Sequence, residues 1–165
     1  MELESLGGYM GKVKNSDINV EINADFFLAK SKLSPKKLQK LVYYAYAWFI
    51  TLYNEDPKEI NSRLFDEHPQ AWAHGPVFKS LYDKYKGYGW NEIEKKRKKI
   101  SFKDSNIQSF MEDIWRKFHK YSADELEYMT HQEDPWKNAR GALPPWAPSN
   151  NEISDKDIYI YYNAI

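Results

Sequence analysis

The segment SPKKLQKLVYYAYAWFITLYN, residues 34–54, decides the fold of this chain. Apolar side chains recur in it at steps of three and four, the spacing of one face of an α-helix. They are Leu38, Leu41, Val42, Ala45, Trp48 and Leu52. Ser34 suits the N-cap and Pro35 the first helical position. The mostly apolar run 41–53 is shorter than the roughly 20 residues of a membrane span and is rich in tyrosine, so we predict a buried or half-buried helix.

Further helices are predicted on both sides of this segment. A short one covers residues 24–31, and a long amphipathic one covers 104–121. The apolar residues of the long one are Ile107, Phe110, Met111, Ile114, Trp115, Phe118 and Tyr121. Ser122 with Glu125 forms a capping-box pattern that begins the next helix, and the sequence SDKD at 154–157 repeats it. The last helix is predicted to turn Ile158, Tyr161, Tyr162 and Ile165 inward.

Three segments between these helices carry turn and strand signals. The apolar pairs around Leu64-Phe65 and 71–73 flank a proline-containing turn, which predicts a small hairpin. Gly75-Pro76 is typical of a helix start, with Val77, Leu81 and Tyr85 on one face and Gly87 or Gly89 as the end. Ile100 and Phe102 alternate as in a short strand, and Asp134-Pro135 predicts another helix start.

The predicted fold class is mainly α. We expect a single compact helical domain over residues 24–165, with a small peripheral β-hairpin or short strands. Residues 1–23 mix glycine, asparagine and charge without periodicity, so we predict a flexible N-terminal arm there.

The composition excludes several function classes. A chain of 165 residues fits one domain, and the absence of cysteine excludes disulfide frameworks, thiolate nucleophiles and sulfur-ligated zinc. The chain has 24 basic residues (lysine plus arginine) and 24 acidic residues (aspartate plus glutamate). Its net charge therefore gives no overall electrostatic attraction to nucleic acid or to a membrane surface. The basic run 95–99 lacks the interleaved aromatics of single-strand binders, which disfavours nucleic acid as a partner. The N-terminus lacks the apolar region of a signal peptide, so we expect a cytoplasmic protein.

The segment MTHQEDPWKNAR, residues 129–140, is the strongest candidate for chemistry. It contains His131 and Glu133, but the chain has no HExxH zinc motif, no G-x-S-x-G and no glycine-rich phosphate loop. We therefore predict no catalytic residue, no metal and no cofactor. The preferred interpretation is a corner between two helices, in which polar side chains satisfy helix-end groups and Trp136 packs. A hydrolase that uses His131 with Glu133 is kept as the alternative.

Four sequence blocks together resemble the Panacea domain, the family of SocA-like antitoxins and phage-associated GepA-like proteins. The blocks are LQKLVYYAYAW (38–48), AWAHGPVFKSLYDKY (71–85), YSADELEYMTHQEDPWKNAR (121–140) and ISDKDI (153–158). The resemblance covers about 24–163. Its most specific motifs are Trp72-x-x-Gly75-Pro76-Val77 and the group formed by Thr130, His131, Gln132, Glu133, Pro135 and Trp136.

The resemblance implies a helical antitoxin that neutralises a cognate toxin by direct contact. The toxin would be encoded by an adjacent gene, and SocA-like members are associated with delivering the toxin to a protease. His74 departs from the family, which often has tyrosine before Gly-Pro. Some relatives carry an additional DNA-binding domain, for which the arm before residue 24 is too short. A prophage accessory protein without a toxin partner is the remaining alternative.

Two groups of site residues follow from the motifs and the resemblance. The candidates for groove lining or partner contact are Trp72, His74, Trp136 and Arg140. The residues expected to shape the fold are Gly75, Pro76, Val77, Thr130, His131, Gln132, Glu133, Asp134 and Pro135. If the helix starts at Gly75-Pro76 and Asp134-Pro135 lie close together, their free amides offer hydrogen-bond donors to an acidic or phosphorylated feature of a partner. The alternative is that the motif residues only hold the fold.

Overall fold

The structure is a computed structural model that describes residues 18–165. Over this range it contains seven α-helices, two short strands and one 3-10 helix. They are α1 (Val20–Leu28), α2 (Pro35–Tyr53), β1 (Gln70–Trp72), β2 (Gly75–Val77), α3 (Lys79–Tyr85), the 3-10 helix Lys86–Tyr88, α4 (Ser105–Phe118), α5 (Ala123–Gln132), α6 (Asp134–Arg140) and α7 (Asp155–Asn163). The prediction of a mainly α fold with one small hairpin is confirmed.

Helix α2 lies at the centre of the fold. Ser34 caps it by accepting a hydrogen bond from the Lys37 amide at 3.2 Å, and Pro35 opens the first turn, as predicted. Every residue from Leu38 to Tyr53 is buried, because α1, α4, α5 and α7 pack around the helix. The single apolar face predicted from the sequence therefore understates the burial. No helix among residues 18–165 combines the length and the apolarity needed to cross a membrane.

Aromatic rings fill the space between α2 and its neighbours. The ring of Tyr44 stacks on Phe118 of α4 with 4.4 Å between centroids. Trp48 packs against Tyr162 of α7 at 5.3 Å, and the Tyr162 hydroxyl lies 3.1 Å from the Tyr43 hydroxyl. Large rings bury much apolar area, and Tyr43, Tyr44 and Tyr162 form hydrogen bonds through their hydroxyls within the core. The high aromatic content of the sequence thus serves the interior first.

The hairpin differs from the prediction. Its strands β1 and β2 pair antiparallel, with Gln70 opposite Val77 and Trp72 opposite Gly75. Leu64 and Phe65 are buried but form no strand, so the predicted pairing of 64–65 with 71–73 is wrong. Gly75-Pro76 does not begin a helix either. These two residues form β2, because Gly75 adopts a φ of +104° after a two-residue turn and Pro76 keeps the chain extended.

Helix α3 begins only after Phe78, at a place fixed by a side chain of α2. The side-chain oxygen of Gln39 accepts a hydrogen bond from the Phe78 N–H at 2.8 Å, and the side-chain nitrogen of Gln39 donates to the Phe78 carbonyl at 3.1 Å. The Phe78 carbonyl also accepts a hydrogen bond from the Tyr82 amide, whereas the buried Phe78 N–H would be left without a partner if Gln39 were absent, which is costly. The hairpin is therefore attached to the core by hydrogen bonds that the local sequence does not predict.

The helix caps predicted after residue 100 are largely confirmed. The reciprocal capping box of Ser122 and Glu125 opens α5, and Ser154 caps α7, as predicted. Asp104, the first residue of the helix predicted over 104–121, is the N-cap of α4. The start of α6 differs by one residue, since Glu133 is the N-cap and Asp134 the first helical residue. At the other end of the chain, the predicted inward position of Ile165 is wrong, because it is exposed.

The first helix begins earlier in the chain than predicted. Residues 1–17 of the expected arm lie outside the described residues. Helix α1 covers Val20–Leu28 instead of 24–31, because Asn19 accepts a hydrogen bond from the Ile22 amide and caps the helix there. Residues 20–23 of the predicted arm are therefore helical.

The predicted strand at Ile100 and Phe102 is also absent from the structure. This segment runs as an irregular loop, and the Phe102 amide donates to the Gln108 side chain at 2.8 Å. The basic run 95–99 lies in the same loop and, with Lys30 in the turn after α1, borders a recess of about 380 Å³. Lys30 pairs with Glu112 at 2.7 Å, so part of this charge is neutralised within the chain.

Candidate functional site

The two motif groups of the sequence meet in space. The indole N–H of Trp136 on α6 donates to the Trp72 carbonyl of β1 at 2.8 Å. A Cβ atom added to Gly75 would lie 3.0 Å from the hydroxyl oxygen of Thr130 on α5. The hairpin and the α5–α6 corner, about sixty residues apart in sequence, thus form one unit.

A buried lysine of α2 lies beneath the hairpin. Lys40 is 1% exposed, and its ammonium donates to the Pro76 carbonyl at 3.2 Å. Its Cε would be only 2.6 Å from a Cβ at Gly75, so glycine is needed both for this contact and for the positive φ. Burial lowers the pKa of Lys40 to about 7, with the Lys36 charge acting in the same direction and Glu127 against it.

Glu133 faces the core rather than His131. Its carboxylate oxygen Oε1 accepts hydrogen bonds from the hydroxyls of Tyr44 and Tyr162, both at 2.8 Å. Burial among these helices raises the pKa of Glu133 to about 7, although the two tyrosine hydrogen bonds act in the opposite direction. Glu133 therefore links α2, α6 and α7 and is not placed as a general base for an external substrate.

His131 is held against Trp136. The two rings stack with 4.1 Å between centroids, and the imidazole lies beside the Ala73 backbone. Burial lowers the pKa of His131, while Glu127 and the Ala73 contact act against that shift. Within residues 18–165, no hydrogen bond joins His131 to Glu133, and no cluster of three acidic or histidine ligands could hold a metal.

The Glu133 environment gives the first testable prediction. Because the folded state holds a proton up to about pH 7 and the unfolded chain releases it near 4.5, the free energy of unfolding should fall as pH rises through this window. Glu133→Gln should remove that fall and stabilise the protein at pH 8 by about 1–3 kcal/mol. Thermal or urea unfolding at pH 5 and pH 8 measures this, with Glu55→Gln, at an exposed position, as the control. An unchanged pH slope in Glu133→Gln would contradict the assignment.

Arg140 fastens the proline-rich loop that follows α6. Its guanidinium donates to the carbonyls of Pro144 at 2.9 Å, Pro145 at 3.3 Å and Ala147 at 2.6 Å. It also donates to the Ala71 carbonyl of β1 at 2.9 Å and lies over the Trp136 ring. One side chain thereby fixes the loop to the hairpin.

The four predicted contact residues divide into two pairs. Trp136 and Arg140 are 6% and 4% exposed, so they support the surface from beneath and do not themselves form it. Trp72 is partly exposed and His74 is exposed, so this pair lies where a partner could reach it. Among the fold-shaping residues, Gly75, Pro76, Val77, Thr130 and Pro135 are buried, whereas Gln132 and Asp134 are exposed.

Two clefts open on either side of the hairpin tip. The first, of about 390 Å³, reaches from the hairpin to Trp90, and the second, of about 510 Å³, reaches to Trp146. Trp72, His74 and Val77 line both. Trp90 and Trp146 are 78% and 80% exposed, unusual values for the largest apolar side chain. We call Trp72, His74, Val77, Trp90 and Trp146 the hairpin surface.

Sequence reasoning missed Trp90 and Trp146. Each stands in a loop that has no apolar periodicity, Trp90 directly after Gly89 and Trp146 between Pro145 and Ala147. A tryptophan in such a glycine- or proline-rich loop has no helix face to bury it, and this signal was available.

Charges on α5 hold one border of the hairpin surface in place. Lys36 pairs with Glu127 at 2.7 Å and with Asp124 at 2.6 Å, and its ammonium lies 5.7 Å from the centroid of the Trp90 ring. Glu127 is also 3.2 Å from the His74 ring nitrogen. The side chains of Trp90 and His74 are therefore anchored through one ion-pair network.

Comparison with known proteins agrees with this architecture. A sequence model described as antitoxin SocA-like, Panacea domain, matches residues 38–137, which contain most of α2, the hairpin, α5 and the start of α6. Searches of curated proteins and of solved structures gave no match. The matched segment is more than half of the chain and includes both motif groups that meet at the hairpin, so the chain belongs to the SocA-like antitoxin family with a Panacea domain.

Proposed function

We propose that this chain is an antitoxin that neutralises a cognate protein toxin by direct complex formation through the hairpin surface. The observation that carries the proposal is the exposure of Trp90 and Trp146 on either side of the hairpin that unites the family motifs. Centres of protein interfaces are enriched in tryptophan, tyrosine and arginine, and a few such residues supply most of the binding energy.

The arrangement of the site supports binding rather than chemistry. Glu133 is engaged by two tyrosines and His131 by a stacked indole, which leaves neither aligned for proton transfer to a substrate. The surface tryptophans stand on loops that Arg140 and the Lys36 network fix in position. Fixed anchors lose little conformational entropy on binding, which favours a stable complex. We place this activity in the cytoplasm, in agreement with a chain that lacks cysteine.

The test is co-expression with the product of the adjacent gene. The expected result is that this product arrests growth alone, that the present chain restores growth, and that the two proteins co-purify. A neighbour that is harmless alone and does not co-purify would remove the proposal's support. Adding a protease-deficient strain separates neutralisation by binding, which persists there, from neutralisation that requires delivery of the toxin to a protease.

The hairpin surface itself is tested by Trp90→Ala combined with Trp146→Ala. Loss of two interface anchors should weaken the complex by about tenfold or more and abolish growth rescue. The melting temperature should stay near that of the wild type, because both side chains are almost fully exposed. Tyr128→Ala is the matched control, since Tyr128 is 68% exposed and lies outside both clefts. Equal losses in the control and the double variant would place the interface elsewhere.

A further inference from the structure

Lys40 is a buried cation without a carboxylate partner. Its ammonium has three protons to donate, and within residues 18–165 the Pro76 carbonyl is the one acceptor it contacts. The nearest acidic group that influences it, Glu127, is already engaged by Lys36 and His74. A buried charge in this condition lowers stability, and a methionine of similar length would avoid that cost.

The same side chain reaches a surface cleft. Lys40 belongs to the wall of the 390 Å³ cleft between the hairpin and Trp90, although it is almost fully buried. Lys36, which is paired with Glu127 and Asp124, and Lys86 also line this cleft, and no aspartate or glutamate within residues 18–165 does. The cleft therefore combines a cationic base with aromatic walls at Trp72 and Trp90. Its chemistry complements an acidic side chain carried on an apolar or aromatic segment.

We propose that an aspartate or glutamate side chain of the protein partner enters the Trp90 cleft and pairs with the Lys40 ammonium. This inference rests on the proposed function, since it assigns chemistry to the partner of the hairpin surface. The pair would be closed off by Trp72 and Trp90, and exclusion of water strengthens a charged hydrogen bond. Lys40 would then supply specificity, because a partner with a neutral side chain at this place would leave the ammonium buried and unpaired.

The pair has a consequence for pH dependence. The pKa of Lys40 is about 7 in the free chain, and a carboxylate at contact distance raises it, so the complex takes up a proton above pH 7. Affinity should be nearly constant below that pH and then fall by up to about tenfold per pH unit. The other ionisable groups around Lys40 are Lys36 on the same helix, Glu127 and His131 on α5, and His74 at the hairpin tip.

The experiment measures the affinity of the complex with the adjacent gene product between pH 6 and pH 9, for the wild type and for Lys40→Met. We expect Lys40→Met to weaken binding about 30-fold or more at pH 6 and to flatten the fall above pH 7. Its melting temperature should stay near that of the wild type, since removal of the buried charge offsets the lost hydrogen bond to the Pro76 carbonyl, so weaker binding at an unchanged melting temperature does not come from unfolding. Lys86→Met, which removes an exposed cation from the same cleft, should change affinity only a few-fold.

A second set of variants, made in the partner, identifies the carboxylate that pairs with Lys40. Each aspartate and glutamate of the partner is replaced by its amide, alone and together with Lys40→Met. One of them should reproduce the loss seen in Lys40→Met and add nothing to it in the double variant. Wild-type affinity in Lys40→Met at pH 6, or no acidic residue coupled to Lys40, would overturn the inference while leaving the proposed function intact. The absence of any complex with the wild-type chain would overturn both.

Discussion

Gly75→Ala is expected to lower the free energy of unfolding by about 2–6 kcal/mol, the largest single effect anticipated for this protein. At a φ of +104°, an alanine carries a backbone cost of about 1–3 kcal/mol. The added Cβ would also lie 2.6 Å from Lys40 Cε and 3.0 Å from Thr130 Oγ1. Overpacking of this kind costs about 1–3 kcal/mol more. Typical domains are stable by only about 5–15 kcal/mol, so the variant should melt far below the wild type.

Neither neighbour of Gly75 can easily move aside. Lys40 is enclosed, and a shift of its chain would take the ammonium away from the Pro76 carbonyl. Thr130 is fully buried and donates to the Glu127 carbonyl at 2.8 Å. The strain therefore has to be absorbed by the hairpin, which is the part of the fold that carries the proposed binding surface.

Alanine substitutions at two other glycines separate the backbone cost of a positive φ from the overpacking cost of the added Cβ, with urea unfolding as the measurement. Gly87 has open space around it and no positive φ, so Gly87→Ala should leave stability unchanged or raise it slightly. Gly89 also has open space but a φ of +58°, so Gly89→Ala should show the backbone cost alone, about 1–3 kcal/mol. A Gly75→Ala variant no less stable than Gly89→Ala would show that the contacts of Lys40 and Thr130 impose no constraint.

Arg140→Met is expected to destabilise the protein by about 2–4 kcal/mol and to release the proline-rich loop. The variant keeps most of the apolar stem but removes the guanidinium donor from four carbonyl groups, those of Ala71, Pro144, Pro145 and Ala147. The Pro144 carbonyl keeps its hydrogen bond from the Ala147 amide. Each charge-assisted hydrogen bond contributes on the order of 1–3 kcal/mol, and the exposed carbonyls recover part of this through water.

Thermal melting measures the loss of stability in Arg140→Met, and limited proteolysis measures the release of the proline-rich loop. We expect faster cleavage within 141–150 under native conditions, because the loop is no longer fixed to β1. Lys137→Met is the matched control, because Lys137 lies on the same helix, is exposed and, within residues 18–165, pairs only with exposed Asp134 at 3.6 Å. Binding of the partner should weaken as well, since Trp146 stands on this loop. Unchanged proteolysis in Arg140→Met would mean that the loop is ordered by its prolines alone.

The helical part of the fold could be predicted because its signals are local. Ser34 and Pro35, Asp104, and the pair Ser122 and Glu125 satisfy backbone amides within a few residues of themselves. Helix boundaries set by such caps do not depend on the rest of the chain. The mainly α class followed directly from them.

The hairpin could not be predicted in the same way. Gly75-Pro76 is common both at helix starts and in turns, and the choice was made by the side chains of Gln39 and Lys40 from a distant helix. The role of Arg140 was equally hidden, because residue type does not tell whether an arginine supports a surface or forms it, whereas the packing predicted for Trp136 is confirmed. The exposure of Trp90 and Trp146, in contrast, could have been predicted, because both residues stand in glycine- or proline-rich loops.

Synthesis of this protein on the ribosome is constrained by the way α7 closes the core around α2. Tyr162 of α7 meets Tyr43, 119 residues earlier in the chain, and also Glu133. The aromatic helix α2 is therefore made early but cannot be enclosed until 155–163 have emerged, so folding depends on contacts of long sequence separation. An unfinished chain exposes tyrosine and tryptophan side chains that the complete one buries, which makes it a substrate for chaperones and proteases. If translation stalls before residue 155, we expect the product to be degraded rather than to persist as a partly folded chain.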